Sequence, residues 1–494
     1  MGMIRKISRV KKSDLWNFIG LGTSLALMLF FMTGELNILS TLFVLGLLCI
    51  WGLWSASRPL LAFGVIMFIW VNLFNRTGIF LMPVQGYGNR GYLYLGNVLL
   101  LIFVLSYIMK KLMTHSNGSI AKNHSWKGFV FAMPFLLCST LLPLLGILSG
   151  TWPIPYASPS VRSIQWFIIA LISFVLCGKY GHVSVARMIF SVLTLSCIIQ
   201  AFYASFQFYY LSTGKVAYLY FDKIFVETHP ENQLQFYRAT GLTVDPNSLG
   251  LVGMIFVDLL FSMVLSRSKV NPFVLAFAGL SSVWVIIISG SRTALVALIC
   301  LSAFVLFVDI IRQNRFSLAS RMWFIAGMSF FLAISLAIAS YFTPGLTERV
   351  LTAFSPSAGG LTSDVNFSIR LQLWKQCFAY LYEHPFGTFV PPFYALNMPI
   401  DSYWVYVVAQ GSLLYLSAFV LFLVGLIGSG LSLIKSDVVV TKCTGYFLVL
   451  LVLTACVESI AFVSFLDSAV IFLVYTFTGV SAYARSKTRK SFNS

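Results

Sequence analysis

Apolar windows of roughly 17–25 residues recur along the whole chain, separated by short polar breaks. Nothing constrains the fold more. Each window is long enough to cross a bilayer as a helix, the conformation that satisfies every backbone polar group within the segment. No domain-sized polar stretch remains from which a water-soluble globule could be built. Composition agrees: 59% of the 494 residues are hydrophobic and 10% are charged, where soluble domains carry about a quarter charged. Spans at 15–34, 38–55, 60–74, 92–109, 129–150, 164–178, 188–212, 249–266, 272–289, 293–311, 322–342, 403–429, 443–465 and 468–484 give fourteen crossings. The predicted fold class is all-α integral membrane: one polytopic domain over 1–494, a bundle of about 12–14 transmembrane helices with a large extracytoplasmic loop that contains an amphipathic helix.

The basic start "MIRKISRVKK" precedes a long apolar run with no small-x-small cleavage site, so it reads as an uncleaved first helix. The eight cysteines lie almost entirely inside apolar windows with no CxxC pair, which predicts neither a disulfide framework nor a zinc site. A net charge of +18 could suggest a nucleic-acid partner, but topology accounts for it. With the N-terminus inside, 23 of the 33 Lys and Arg fall in cytoplasmic segments, as the positive-inside rule requires. The expectation is a multi-pass protein of the cytoplasmic membrane with both termini cytoplasmic and no nucleic-acid partner.

Two outside loops stand out, at 213–248 and 343–402, because connections in compact proteins usually span only a few residues. In the second, "NFSIRLQLWKQCFAYLY" places Phe367, Leu371, Trp374, Phe378 and Leu381 at helical spacing. This predicts an interfacial helix over 366–382, capped by Asn366 or Ser368, with Arg370 beside its apolar face.

Seven of the ten outside basic residues are arginines: Arg76, Arg90, Arg162, Arg238, Arg292, Arg349 and Arg370. Arginine grips phosphate oxygens bidentately and stays charged, so a phosphate-bearing lipid suits this face. Arg292 sits in the tight turn "SGSRTALVAL", where Ser291 can cap the following helix and its N-terminus adds positive charge. "QFYRATGLTVDPNSLG" repeats the logic with Arg238 ahead of the turn Asp245-Pro246-Asn247, where Asn247 or Ser248 can cap the next span. His384 and Asp401 flank the segment before the span at 403, and either can take a proton from a sugar hydroxyl. Acids inside spans take a functional reading by default: Asp258 mid-span, and Glu458 in the outer half of its helix, where it can line a cavity. Asp309 has Arg312 three residues on, enough for a local ion pair. No DxD motif and no Gly-rich phosphate loop occurs, which argues against a cytoplasmic sugar-nucleotide transferase.

Together, "RATGLTVDPNSLG", "SGSRTALVAL", "SIRLQLWKQCFAYLYEHPFGT" and "DSYWVYVVAQGSLLYL" resemble the O-antigen ligase and O-antigen polymerase superfamily over about residues 235–425. The resemblance implies a metal-independent inverting glycosyltransferase acting at the outer face on oligosaccharides linked to undecaprenyl pyrophosphate. It implies that Arg238, Arg292 and Arg370 hold the pyrophosphate, with Asp245, Asn247, Ser291 and Glu458 in support, and that a base, Asp401 or His384, assists the acceptor. Ligases of this family carry His-Asn where this chain has Asp401-Ser402, which favours polymerisation of repeat units into a surface polysaccharide over ligation. A flippase or other transporter of lipid-linked oligosaccharide is the reading from another class. The implied partners are the lipid-linked oligosaccharide, membrane lipid, a flippase and a chain-length regulator.

Overall fold

The computed structural model describes residues 12–33, 38–74, 77–83, 90–113, 126–153, 158–212, 225–228, 235–243, 245–268, 271–311, 318–342, 365–396 and 400–492. The helices, in chain order, are α1 (Lys12–Thr33), α2 (Ile38–Ser57), α3 (Pro59–Asn72), α4 (Leu95–Met113), α5 (Met133–Leu148), α6 (Ser158–Tyr180), α7 (His182–Ser212), α8 (Pro246–Leu265), α9 (Pro272–Ser289), α10 (Arg292–Ile311), α11 (Leu318–Phe342), α12 (Val365–Glu383), α13 (Pro392–Leu396), α14 (Tyr403–Ile434), α15 (Val439–Glu458) and α16 (Ser468–Phe492). Each of the fourteen predicted spans has its helix, and among the described residues seven helices are long and apolar enough to cross a membrane. The chain is a polytopic helical membrane protein.

Three details depart from the sequence reading. Among the described residues two short antiparallel strand pairs occur, β1 (Gly78–Pro83) with β2 (Arg90–Tyr94), and β3 (Phe225–Thr228) with β4 (Gln235–Arg238). The span predicted over 443–465 stops at Glu458. There the Ser464 hydroxyl donates to the Ala455 carbonyl at 2.7 Å and closes the chain into a 3-10 turn at Ser464–Leu466, although "IAFVSFL" keeps an apolar pattern. The amphipathic helix is α12, one residue longer at each end than predicted.

The chain divides into two compact units, residues 1–122 and 123–494. In the first, α1 and α2 are joined by indole donors: Trp51 Nε1 reaches Ser24 Oγ at 3.1 Å and Trp16 Nε1 reaches Ser57 Oγ at 2.8 Å. Such tryptophan-hydroxyl bonds give a polar link where lipid provides no hydrophobic drive between helices.

The second unit holds every predicted site residue. Its centre is an apolar cluster of α7, α8, α9, α10 and α15 side chains, including Phe208, Met254, Phe261, Ile286, Leu298 and Leu450. A second packing centre is aromatic: Phe135 of α5 stacks on Tyr415 and Phe422 of α14, and Tyr475 of α16 stacks on Trp166 of α6 and on Phe422. The first centre carries the starts of α8 and α10 and the end of α9. The second carries α14 and α16.

A candidate anion site at the helix starts

Arg238 ends β4 and is only 4% exposed. The backbone amide of the next residue, Ala239, donates to the Ile288 carbonyl at 3.0 Å, tying the strand end to the last turn of α9. The guanidinium completes the tie: Nε donates to the Ser289 carbonyl and one terminal nitrogen to Asn247 Oδ1, each at 2.8 Å. A buried arginine thus joins the end of α9 to the first turn of α8. The loop between is held from α7. Gln207 Oε1 accepts from the amides of Thr240 and Gly241, and Gln200 Oε1 from that of Leu242, all at 2.9 Å. Backbone polar groups with no helix or sheet partner are thereby satisfied in the interior.

The cap of α8 corrects the sequence reading. Asp245, in extended conformation, accepts the Ser248 amide on Oδ2 at 3.0 Å, and Pro246 opens the helix. Proline suits that position because it lacks only an amide that would be unpaired anyway. Neither Asn247 nor Ser248 is the cap. Asn247 is instead the partner of Arg238.

Arg292 opens α10, two residues after Gly290 ends α9 in a left-handed conformation. Ser291 behaves as predicted: its Oγ accepts the Ala294 amide at 3.4 Å and lies 3.1 Å from the Thr293 hydroxyl. The starts of α8 and α10 touch. A Cβ on Gly250 would lie 2.6 Å from Ser291 Cβ, so only glycine admits this approach. Two helix N-termini therefore meet, each adding about half a positive charge, with buried Arg238 between them and half-buried Arg292 at the rim. This is the electrostatics of an anion site.

Carboxyls lie near the start of α8. Asp467 precedes α16 and accepts the Ala469 amide on Oδ1 at 2.9 Å. Burial and the nearby Asp245 charge push its carboxyl up to about 6, against hydrogen bonds from the Ser248 hydroxyl and the Ala469 amide. Glu458, the last residue of α15, is 0% exposed and has the Thr293 side chain beside it. The sequence placed it lining a cavity; it is enclosed by protein. One turn deeper, Thr454 donates to Asp258, with 2.9 and 2.8 Å to its two oxygens.

Arg370 and Asp401 meet as an ion pair, Nε to Oδ2 at 3.0 Å, with the Asp401 side chain 46% exposed. The pair is seated by the residues that follow: the Ser402 hydroxyl and the Tyr403 amide both donate to the Ser459 carbonyl at 3.0 Å, next to Glu458. His384 is placed differently. It is exposed and stacks on Tyr380 with ring centroids 4.1 Å apart, its Nδ1 3.2 Å from the Tyr380 carbonyl. Those contacts bind it to the end of α12.

The segment after His384 has its own task. α14 is broken at Gly411 and Ser412, the latter at φ 54° and ψ −152°. The break leaves carbonyls without helical partners. The amides of Thr388 and Phe389 donate to the Ala409 and Gln410 carbonyls at 2.9 Å, and Trp152 Nε1 donates to the Thr388 carbonyl at 3.0 Å. Gly387, at φ 83°, makes the approach possible, since a Cβ there would be 2.7 Å from both the Ala409 and Gln410 oxygens. The "HPFGT" stretch is thus a strap that caps a helix broken about ten residues after Asp401.

The structure brings Arg238, Asp245, Asn247, Ser291, Arg292 and Glu458 to one end of the second unit, with Arg370 and Asp401 beside Glu458 through Ser459. Arg162 is exposed on α6 and takes no part. Arg76, Arg349 and Arg312 lie outside the described residues, as do the side chains of Arg90 and Asp309. The sequence reading missed Asp467, although "FLDSAV" is an Asp-Ser helix start like that at Asp245, and it missed Gln200 and Gln207, which resemble any polar residues in an apolar span.

Residues 275–412 match the family model described as O-antigen ligase. The match runs from the first turn of α9 to Ser412, the break in α14, and takes in Ser291, Arg292, Arg370, His384 and Asp401. It supports the O-antigen ligase and polymerase superfamily and an activity of that type. No curated protein matches the chain.

Proposed function

We propose that this chain, whose residues 275–412 carry the O-antigen ligase match, polymerises undecaprenyl-pyrophosphate-linked oligosaccharide repeat units into a cell-surface polysaccharide at the outer face of the cytoplasmic membrane. One observation carries the reading. The starts of α8 and α10 meet around buried Arg238, with Arg292 at the rim. A diphosphate that becomes more negative as its glycosidic bond breaks is stabilised by such a preformed positive end, at no reorganisation cost. The acceptor hydroxyl attacks the anomeric carbon, the bond to pyrophosphate breaks, and the electron pair leaves on the phosphate oxygen. Arg370, paired with Asp401 on the flank, is the third guanidinium available to the donor. Of the two base candidates read from the sequence, Asp401 stands at the cluster and His384 on its Tyr380 stack.

Polymerisation is favoured over ligation by Asp401-Ser402, which stands where the ligases of this family carry His-Asn. The test is genetic. In cells carrying Arg292→Ala, single lipid-linked repeat units reach the outer face and no polymer forms. Units held at the inner face instead would identify a transporter.

A further inference from the structure

After β4, residues 239–243 leave helix and strand yet stay inside the bundle: Ala239 and Thr240 are both 0% exposed. A connection that only joined β4 to α8 could cross the bundle end, where water satisfies its amides. At membrane depth, irregular backbone persists only where protein supplies the partners. Here two side chains of α7 supply them. Gln207 clamps the loop with both ends of its carboxamide: Oε1 accepts from the Thr240 and Gly241 amides at 2.9 Å, and Nε2 donates to the Thr240 hydroxyl at 3.0 Å. Gln200 Oε1 accepts from the Leu242 amide at 2.9 Å. These glutamines are 2% and 0% exposed. They share one face of α7, about 10 Å apart along its axis, so the loop runs inward beside α7 from near its Ser212 end.

We propose that Gln207 and Gln200 are positioning residues of the transfer, holding residues 240–242 on α7 so that Arg238 is delivered to the meeting ends of α8 and α9. This rests on the polymerase reading and deepens it. Only Ala239 separates Arg238 from the clamp, and its amide donates to the Ile288 carbonyl at 3.0 Å. The backbone beyond Arg238 is therefore gripped from α9 and from α7 in succession. Its guanidinium then has a fixed origin from which to reach the Ser289 carbonyl and Asn247 Oδ1, each at 2.8 Å. Gly241 lets the clamp close. It lies at φ 56°, and a Cβ there would be 2.5 Å from Gln200 Oε1 and 2.8 Å from Leu249 Cδ1 in the first turn of α8.

A leaving pyrophosphate is stabilised best by donors already in place when charge builds, and a misplacement of about 1 Å can cost about a hundredfold in rate. Without the clamp, the Thr240 and Gly241 amides must find other partners, and Arg238 moves with them. The loss then falls on the step in which the glycosidic bond breaks. It lowers kcat and kcat/KM together and leaves KM alone.

The experiment uses the purified full chain in liposomes, with lipid-linked repeat units extracted from cells lacking it, and reads kcat and KM per folded chain. Gln207→Leu removes all three bonds, and kcat falls about tenfold to a hundredfold while KM stays within about twofold. Gln207→Glu has the same reach: its oxygen accepts both amides and the Thr240 hydroxyl turns to donate to it, so most of the loss is recovered. Gln207→Asn is too short and stays as slow as the leucine variant. Should Gln207→Leu fail to fold, Thr240→Val decides alone, since it deletes the acceptor of Gln207 Nε2 and keeps the backbone amide. A fall in kcat of about threefold or more supports the assignment, and an unmoved kcat overturns it. A wild-type chain that polymerises while Gln207→Leu keeps pace overturns the assignment and leaves the polymerase reading intact. So does a loss equal in all three Gln207 variants or confined to KM, which marks a merely structural side chain. A wild-type chain that makes no polymer overturns both.

Discussion

Replacing Arg238 by lysine keeps the charge and removes the fork, so it separates electrostatics from geometry. Arg238 is 4% exposed and spends Nε on the Ser289 carbonyl and a terminal nitrogen on the Asn247 amide oxygen, each at 2.8 Å. A single ammonium cannot occupy both positions. One charge-assisted hydrogen bond is lost, worth about 1.5–3 kcal/mol, and one buried acceptor is left unpaired at a further cost of about 1–3 kcal/mol. Arg238→Lys is therefore expected to destabilise the chain by about 3–5 kcal/mol and to unseat the start of α8 from the end of α9. Denaturant unfolding in nanodiscs measures the first effect, and a polysaccharide ladder on gels the second. Asn247→Ala removes the same bond from the other side. The two changes together should then cost less than their separate sum, by about 1–2 kcal/mol. A lysine variant within about 0.5 kcal/mol of wild type, with an undiminished ladder, would refute the claim that the fork organises the site.

Three further outcomes follow from the geometry. Gly387→Ala combines a left-handed backbone at φ 83° with a Cβ 2.7 Å from two carbonyl oxygens, and should cost about 3 kcal/mol or more as the strap lifts from the break in α14; near-wild-type unfolding would show that the strap is dispensable. Arg370→Met and Asp401→Asn should each reduce polymer and combine without adding, because they break one ion pair, whereas His384→Ala should keep most activity; loss of the ladder as complete as in Arg292→Ala would restore His384 as the base. Asp467 offers a stability test with a definite sign. Its folded carboxyl sits at about 6, above the roughly 3.9 of an unfolded aspartate, so the native state binds more protons between these values. Stability then falls as pH rises from about 4 to about 6, and Asp467→Asn should flatten that slope; a slope unchanged in the variant would show that Asp467 does not set it.

The helices were legible because membrane spans are written in long apolar windows, and all fourteen stand where those windows lie. Boundaries slipped where polar side chains, rather than hydropathy, decide the end. Ser464 turns the chain back onto Ala455 and ends α15 at Glu458, though the apolar pattern runs on. At the site, the turns around Arg238 and Arg292 were readable because Asp-Pro and Ser-Arg before an apolar run announce helix starts. The partner of Arg238 was not, since nothing local in "DPNSLG" says whether Asp245 or Asn247 turns inward. Asp467 escaped for a related reason. Its raised carboxyl comes from burial and from Asp245, which is distant in sequence and brought near only once α8 and the start of α16 pack. The break at Gly411 and Ser412 was hidden within an unbroken apolar run, and "HPFGT" gained its meaning only when its amides were found on the freed carbonyls.

The central claim is that the positive end formed by α8 and α10 holds a lipid pyrophosphate during sugar-chain growth. Its most direct test is to supply purified wild-type chain in liposomes with undecaprenyl-pyrophosphate-linked repeat units and no other protein, and to resolve the products by length. A ladder of polymers with released undecaprenyl pyrophosphate is expected, absent in Arg292→Ala. Units that stay single, or that only cross the bilayer unchanged, would contradict it.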